Sequence, residues 1–133
     1  MSTAPAGRPL RIGWAAWTAV AVGGFTGTEA RYLLGLLIPE AAGGFPWTTL
    51  AINVVGSFLL AWLTASWAAG TQVSPWLQAG LGPGLLGSFT TFSAVTLAIG
   101  LQPGLLIPYL GASILLGFGA AAAGIALGSR GSA

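Results

Sequence analysis

Four long apolar stretches run along the chain, separated by short polar, turn-forming segments. The first covers about Ile12 to Ile38, the second Trp47 to Trp67, the third Trp76 to Leu101 and the fourth Leu105 to Leu127. Each reaches the ~20 residues that an apolar helix needs to cross a bilayer core. Between them lie Pro39 to Pro46 with Gly43 and Gly44, Gly70 to Pro75, and Gln102 with Pro103. Connections this short predict that neighbouring helices run antiparallel. Trp14, Trp17, Trp47, Trp67 and Trp76 stand near the segment ends, where amphipathic rings meet the membrane interface. The pattern predicts an all-α integral membrane protein: one four-helix transmembrane domain over residues 1–133, with a polar tail at residues 1–11.

Charge strengthens this picture. Charged residues make up 5% of the 133 residues, against about 25% in an ordinary soluble domain. From Ala41 to Ser129 there is no charged side chain. A soluble fold has nothing with which to cover that run. The pI near 10.0 rests on Arg8, Arg11, Arg31 and Arg130 against Glu29 and Glu40, with no basic patch to follow a phosphate backbone. Nucleic acid is therefore not an expected partner. Arg8 and Arg11 before an apolar stretch suit a signal peptide, but the stretch is long for one, so an uncleaved first helix is expected. Four crossings put both termini on one side, together with Arg8, Arg11 and Arg130. The positive-inside rule then favours both termini in the cytoplasm of a multi-pass cell-membrane protein, with a dual or variable orientation as the alternative.

The third stretch is unlike the others. Gly80, Gly82, Pro83, Gly84 and Gly87 fall close together, followed by Ser88, Phe89, Thr90, Thr91, Phe92 and Ser93. That density predicts a helix broken near mid-membrane. Freed carbonyls there must be buried in protein, face water or meet a cation. A proline kink relieved by Ser and Thr back-bonding is the simpler account of the same residues.

Polar residues are gathered on helix faces. In the second stretch Thr49, Asn53, Gly56, Ser57, Leu60 and Thr64 recur at three- and four-residue spacing. Asn53 suits either a hydrogen bond between helices or a donor in a pore. In the fourth, Tyr109, Ser113, Gly117, Ala120 and Gly124 share a face, and Gly124 with Gly128 forms a GxxxG packing motif. In the first, Gly23, Gly24 and Gly27 lead to Glu29, Arg31 and Tyr32. A charge within a membrane segment is a functional candidate, although Arg31 can also reach the interface along its own stem. Glu29 and Arg31 are two apart and cannot pair along a helix. No His, Cys, Lys or Asp is present, and no nucleophile stands beside a base, so an enzyme is not expected.

Together these motifs resemble the Fluc (CrcB) fluoride channel family along nearly the whole chain. The matching stretches are Gly23-Gly24-x-x-Gly27-x-x-x-Arg31-Tyr32, Thr49-Leu50-x-x-Asn53-x-x-Gly56-Ser57-Phe58, Gly87-x-x-Thr90-Thr91-Phe92-Ser93 and Tyr109-x-x-x-Ser113-x-x-x-Gly117. The resemblance implies an antiparallel, dual-topology-type dimer with two fluoride pores, each built from both chains. It implies a structural sodium ion at the dimer interface, held by the backbone carbonyls of Gly87 and Thr90. The pore residues it implies are Asn53, Phe92 and Ser93, with Thr91, Tyr109 and Ser113 along a polar track and Arg31 and Gly84 in structural roles. The implied partners are fluoride, membrane lipid and a second family chain, and the implied function is passive fluoride export that lowers cytoplasmic fluoride.

The chain departs from the family's third-helix pattern, Thr-Thr-Phe-Ser-Thr-Phe with a Glu three residues on. Ala94 and Val95 replace the last two of those residues, and Ala98 replaces the Glu. Val95 removes one ring of the phenylalanine pair, so a complementary chain is expected as an alternative to a second copy. Glu29, where the family usually has an uncharged residue, opens a competing reading: a small multidrug-resistance-type proton-coupled exporter. A non-transporting assembly subunit that packs through its glycine faces is a third.

Overall fold

The structure, a computed structural model, describes residues 12–132. The N-terminal tail with Arg8 and Arg11 lies outside the described residues, as does the side chain of Ala98. All regular structure among the described residues is helical. Helix α1 is Trp14–Leu37 and α2 is Trp47–Ala68. Helix α3, Pro75–Ala79, runs on through a π-helical segment, Gly80–Leu86, into α4, Gly87–Phe89. Helix α5 is Ser93–Leu101 and α6 is Leu106–Gly128, the latter flanked by 3-10 turns at Pro103–Leu105 and Ser129–Ser132. At about 1.5 Å per residue, α1, α2 and α6 are each about 33–36 Å long, enough for a hydrocarbon core of about 30 Å.

Two helical segments, Trp47–Ala68 and Pro103–Gly131, are long and apolar enough to cross a membrane by length and composition. Their apolar windows are only 17% and 6% buried. A core helix of a soluble protein is apolar because it is enclosed; these are apolar and uncovered. Phe25, Ile107, Leu115 and Phe118 are among many large side chains pointing outward, and no polar or charged residue is buried among the described residues. Helix α1 is as long but less apolar, since it carries Glu29 and Arg31.

Two pairings build the fold. Helices α2 and α6 lie along each other. A Cβ placed on Gly124 would stand 2.5 Å from Phe58 O, and one on Gly128 would stand 2.5 Å from Trp62 O. Only glycine permits that backbone approach, so the GxxxG motif is the seam of this pair. Helix α1 lies against the π-helical segment. There a Cβ on Gly23 would overlap Gly80 O, and one on Gly27 would overlap Leu85 O. A small cluster of Leu50, Val95 and Tyr109, edged by Phe45, Val54 and Ala112, ties α5 to α2 and α6.

The glycine-rich run does not break the helix. Residues 80–87 stay helical with a widened register, the Gly87 N–H reaching back five residues to Gly82 O. A π turn relieves the clash of the Pro83 ring and tolerates its missing N–H. The helix ends later, at Thr90, which is extended (φ −75°, ψ 149°), and α5 begins at Ser93. Residues 90–92 are thus a non-helical link lying beside α2.

Candidate functional site

The link is held by one side chain of α2. Asn53 Nδ2–H donates to Thr91 O at 3.1 Å, and Asn53 Oδ1 accepts the Thr91 N–H at 2.9 Å. A carboxamide presents a donor and an acceptor side by side, so it replaces the backbone partner that Thr91 gives up by leaving the helix. Gly56, on the next turn of α2, makes room: a Cβ there would overlap Thr90 Cγ2. Thr90 Oγ1 donates back to Leu86 O at 3.1 Å and lies 3.5 Å from Gly87 O. Thr91 Oγ1 and Ser93 Oγ share a hydrogen bond at 3.0 Å, and Thr91 Oγ1 also accepts the Ala94 N–H at 3.4 Å. The hydroxyls of the Thr-Thr-Phe-Ser run therefore stitch the end of α4 to the start of α5.

Beside this link is an open groove of about 640 Å³ between α2 and α6. Asn53, Thr91, Phe92 and Ser113 line it, with Gly87 and Thr90 on the same wall. The Phe92 ring is 72% exposed. Asn53 uses one amide N–H on Thr91 and has a second to offer. Ser93 does not line the groove and is connected to it through Thr91. Tyr109 lies behind it, 1% exposed among Leu50 and Val95. Its hydroxyl lies beside the Ser113 and Asn53 side chains, and Tyr109 Oη and Ser113 Oγ are both enclosed. The two enclosed hydroxyls supply O–H donors next to the groove.

Arg31 and Gly84 stand apart from the groove. Gly84 faces α1, where a Cβ would lie 3.1 Å from Val20 Cα. Arg31 lines a different pocket with Glu29 and Glu40, and its Nε is enclosed without a hydrogen-bond partner. Val95 turns into the core at 5% exposure, so the residue that departs from the phenylalanine pair packs on Leu50 and Tyr109.

Glu40 has a part that its place in the sequence did not suggest. Its Oε1 accepts the Thr49 N–H at 2.7 Å, in the first turn of α2. The signal was available: α2 begins after Pro46, which offers no capping side chain, so its first-turn N–H groups need an acceptor from elsewhere.

No group of His, Cys, Asp and Glu among the described residues could hold a metal ion. A bound cation would instead meet carbonyl oxygens. Those of Gly87 and Thr90 are hard, neutral ligands of the kind sodium accepts, and Thr90 has left the helix.

Exposed apolar helices around a polar, hydroxyl-rich link define a small helical membrane protein. Comparison with known proteins identifies which kind. Residues 18–125 match the family described as CrcB-like protein, Camphor Resistance (CrcB), and the chain belongs to that family. Relatives named fluoride-specific ion channel FluC include one from Methanopyrus kandleri, 39% identical over 88% of this chain and 92% of that protein. One from Agrobacterium fabrum is 43% identical over 82% of this chain and 92% of its own length. With FluC 2 of Geobacillus kaustophilus identity is 46%, over 60% of this chain and 63% of that protein. Nothing in these matches favours the exporter reading.

Proposed function

We propose that this chain forms a fluoride-selective channel through which fluoride leaves the cell passively. One observation carries the reading: the Asn53–Thr91 pair sets polar groups into an otherwise largely apolar groove in a chain whose relatives, matched over most of their length, are named fluoride-specific channels. Fluoride is small and tightly hydrated, so a pore must replace its water with close donors. The second Asn53 N–H and the Tyr109 and Ser113 hydroxyls are such donors. The Phe92 ring, exposed beside them, offers a positively polarised edge to an anion. Neutral donors in series bind weakly enough to release the ion again, as conduction requires.

In this reading residues 75–101 are one membrane-crossing segment broken mid-membrane at Thr90–Phe92, and the chain crosses the cell membrane four times. Its exposed groove is then covered by a second, antiparallel chain, which completes each pore. Sodium held by Gly87 and Thr90 carbonyls would supply buried positive potential without lining the pore. The uncovered apolar faces of α2 and α6 support burial in lipid or against a partner.

Fluoride efflux from liposomes containing this chain, read with a fluoride electrode against chloride-loaded controls, tests the reading. Selective efflux abolished by Asn53→Asp is the expected result. No efflux from this chain alone, restored by a co-expressed relative, would assign Val95 to one half of a heterodimer. No efflux under either condition would reject the channel.

A further inference from the structure

A second pocket lies between α1, the loop before α2 and the first turn of α2. It holds about 570 Å³ and reaches Thr91 and Ala94 at the non-helical link. Its charged lining is Glu29, Arg31 and Glu40, two carboxylates against one guanidinium, and Tyr32 is its other titratable side chain. Among the described residues the only further charged side chain is Arg130.

Glu40 is fixed in this pocket by the Thr49 N–H at 2.7 Å. That N–H is one of the unpaired donors of the α2 first turn, where the helix dipole favours an anion. Arg31 Nε, in the same pocket, is enclosed and finds no hydrogen-bond acceptor in Glu40 or any other described side chain, so an N–H donor is left there. A mobile anion here would meet the positive end of α2 and the arginine. It would find the Thr49 donor taken and a fixed negative charge beside it.

We propose that Glu40 is a tethered competitor for anions in this pocket, and that its charge limits how fast fluoride reaches the link at Thr91. The inference rests on the fluoride reading and adds a residue that sets the rate of access. A unit charge about 6 Å from an ion in water changes the local ion concentration by about threefold. The charge, and not the hydrogen bond, is the part that matters. Glu40→Gln separates the two, since its side-chain oxygen can still accept from Thr49.

The test uses the full chain in liposomes, with whatever second chain conduction requires, at fluoride concentrations well below saturation. Glu40→Gln should raise fluoride efflux about threefold, and the gain should shrink as salt is added. Unchanged or reduced efflux from a conducting protein overturns the inference and leaves the channel intact. A second readout needs no flux: the melting temperature in detergent with sodium fluoride against sodium chloride. The fluoride-dependent rise should be larger in Glu40→Gln than in the wild type. If the wild type conducts under no condition, the fluoride reading itself falls, and an equal melting response in the two proteins would then remove the Glu40 proposal as well.

Discussion

Leucine shares the branching of asparagine but is about two methylene groups larger, so Asn53→Leu removes the hydrogen bonds and adds some crowding at the link. Two bonds vanish, Nδ2–H to Thr91 O at 3.1 Å and Thr91 N–H to Oδ1 at 2.9 Å. As net contributions these account for about 1 kcal/mol each. The larger effect is what they leave behind. The Thr91 N–H and C=O are part-buried beside α2, and a stranded buried polar group costs about 1–3 kcal/mol. The expected destabilisation is therefore about 2–6 kcal/mol, measured by equilibrium unfolding in detergent micelles. Asn53→Asp keeps the acceptor but sets an anion against Thr91 O, so it should be at least as damaging. Fluoride efflux measured on the same samples gives the functional side. If Asn53→Leu unfolds with the wild type, the carboxamide does not hold the link, and the Thr91 backbone finds its partners elsewhere. If it is also fully active, Asn53 has no part in conduction.

Three further outcomes follow from the packing and the donors. Gly27→Ala, whose Cβ would overlap Leu85 O, should destabilise by about 1–3 kcal/mol, whereas Gly119→Ala, with nothing within 4 Å, should unfold like the wild type in the same detergent titration. Tyr109→Phe removes an enclosed hydroxyl beside Ser113 and Asn53; stability should change by no more than about 1 kcal/mol while fluoride efflux falls. Replacing sodium by a large organic cation throughout purification should lower both efflux and melting temperature, with recovery on adding sodium back, if the Gly87 and Thr90 carbonyls hold that ion.

The helices themselves were legible because apolar runs and turn formers are local signals. The stretches read as residues 47–67 and 105–127 correspond to Trp47–Ala68 and Leu106–Gly128. The close-packing face of α6 was legible for the same reason, since glycines four apart lie on one side of a helix, but its partner α2 was not, because a packing motif does not name the helix it meets. The groove residues Asn53, Thr91, Phe92 and Ser113 came from motif resemblance; periodicity alone left Asn53 between packing and pore. Glu40 was missed because its partner, Thr49, lies across the loop and belongs to a helix that lacks its own cap.

The position of the helix end shows why local composition misleads in such a chain. Glycine and proline weaken a helix in water, where the unfolded backbone can turn to solvent. In an apolar surround each freed N–H and C=O must find a protein partner. Across residues 80–87 the chain keeps its bonds by slipping into a π register around Pro83. Thr90 and Thr91 carry neither glycine nor proline, yet the helix ends there. Asn53, thirty-eight positions earlier, supplies the missing donor and acceptor, and Gly56 supplies the space. The interruption is thus set by the helix it rests on. Moving a glycine within residues 80–87 should leave it in place, and removing the Asn53 carboxamide should not.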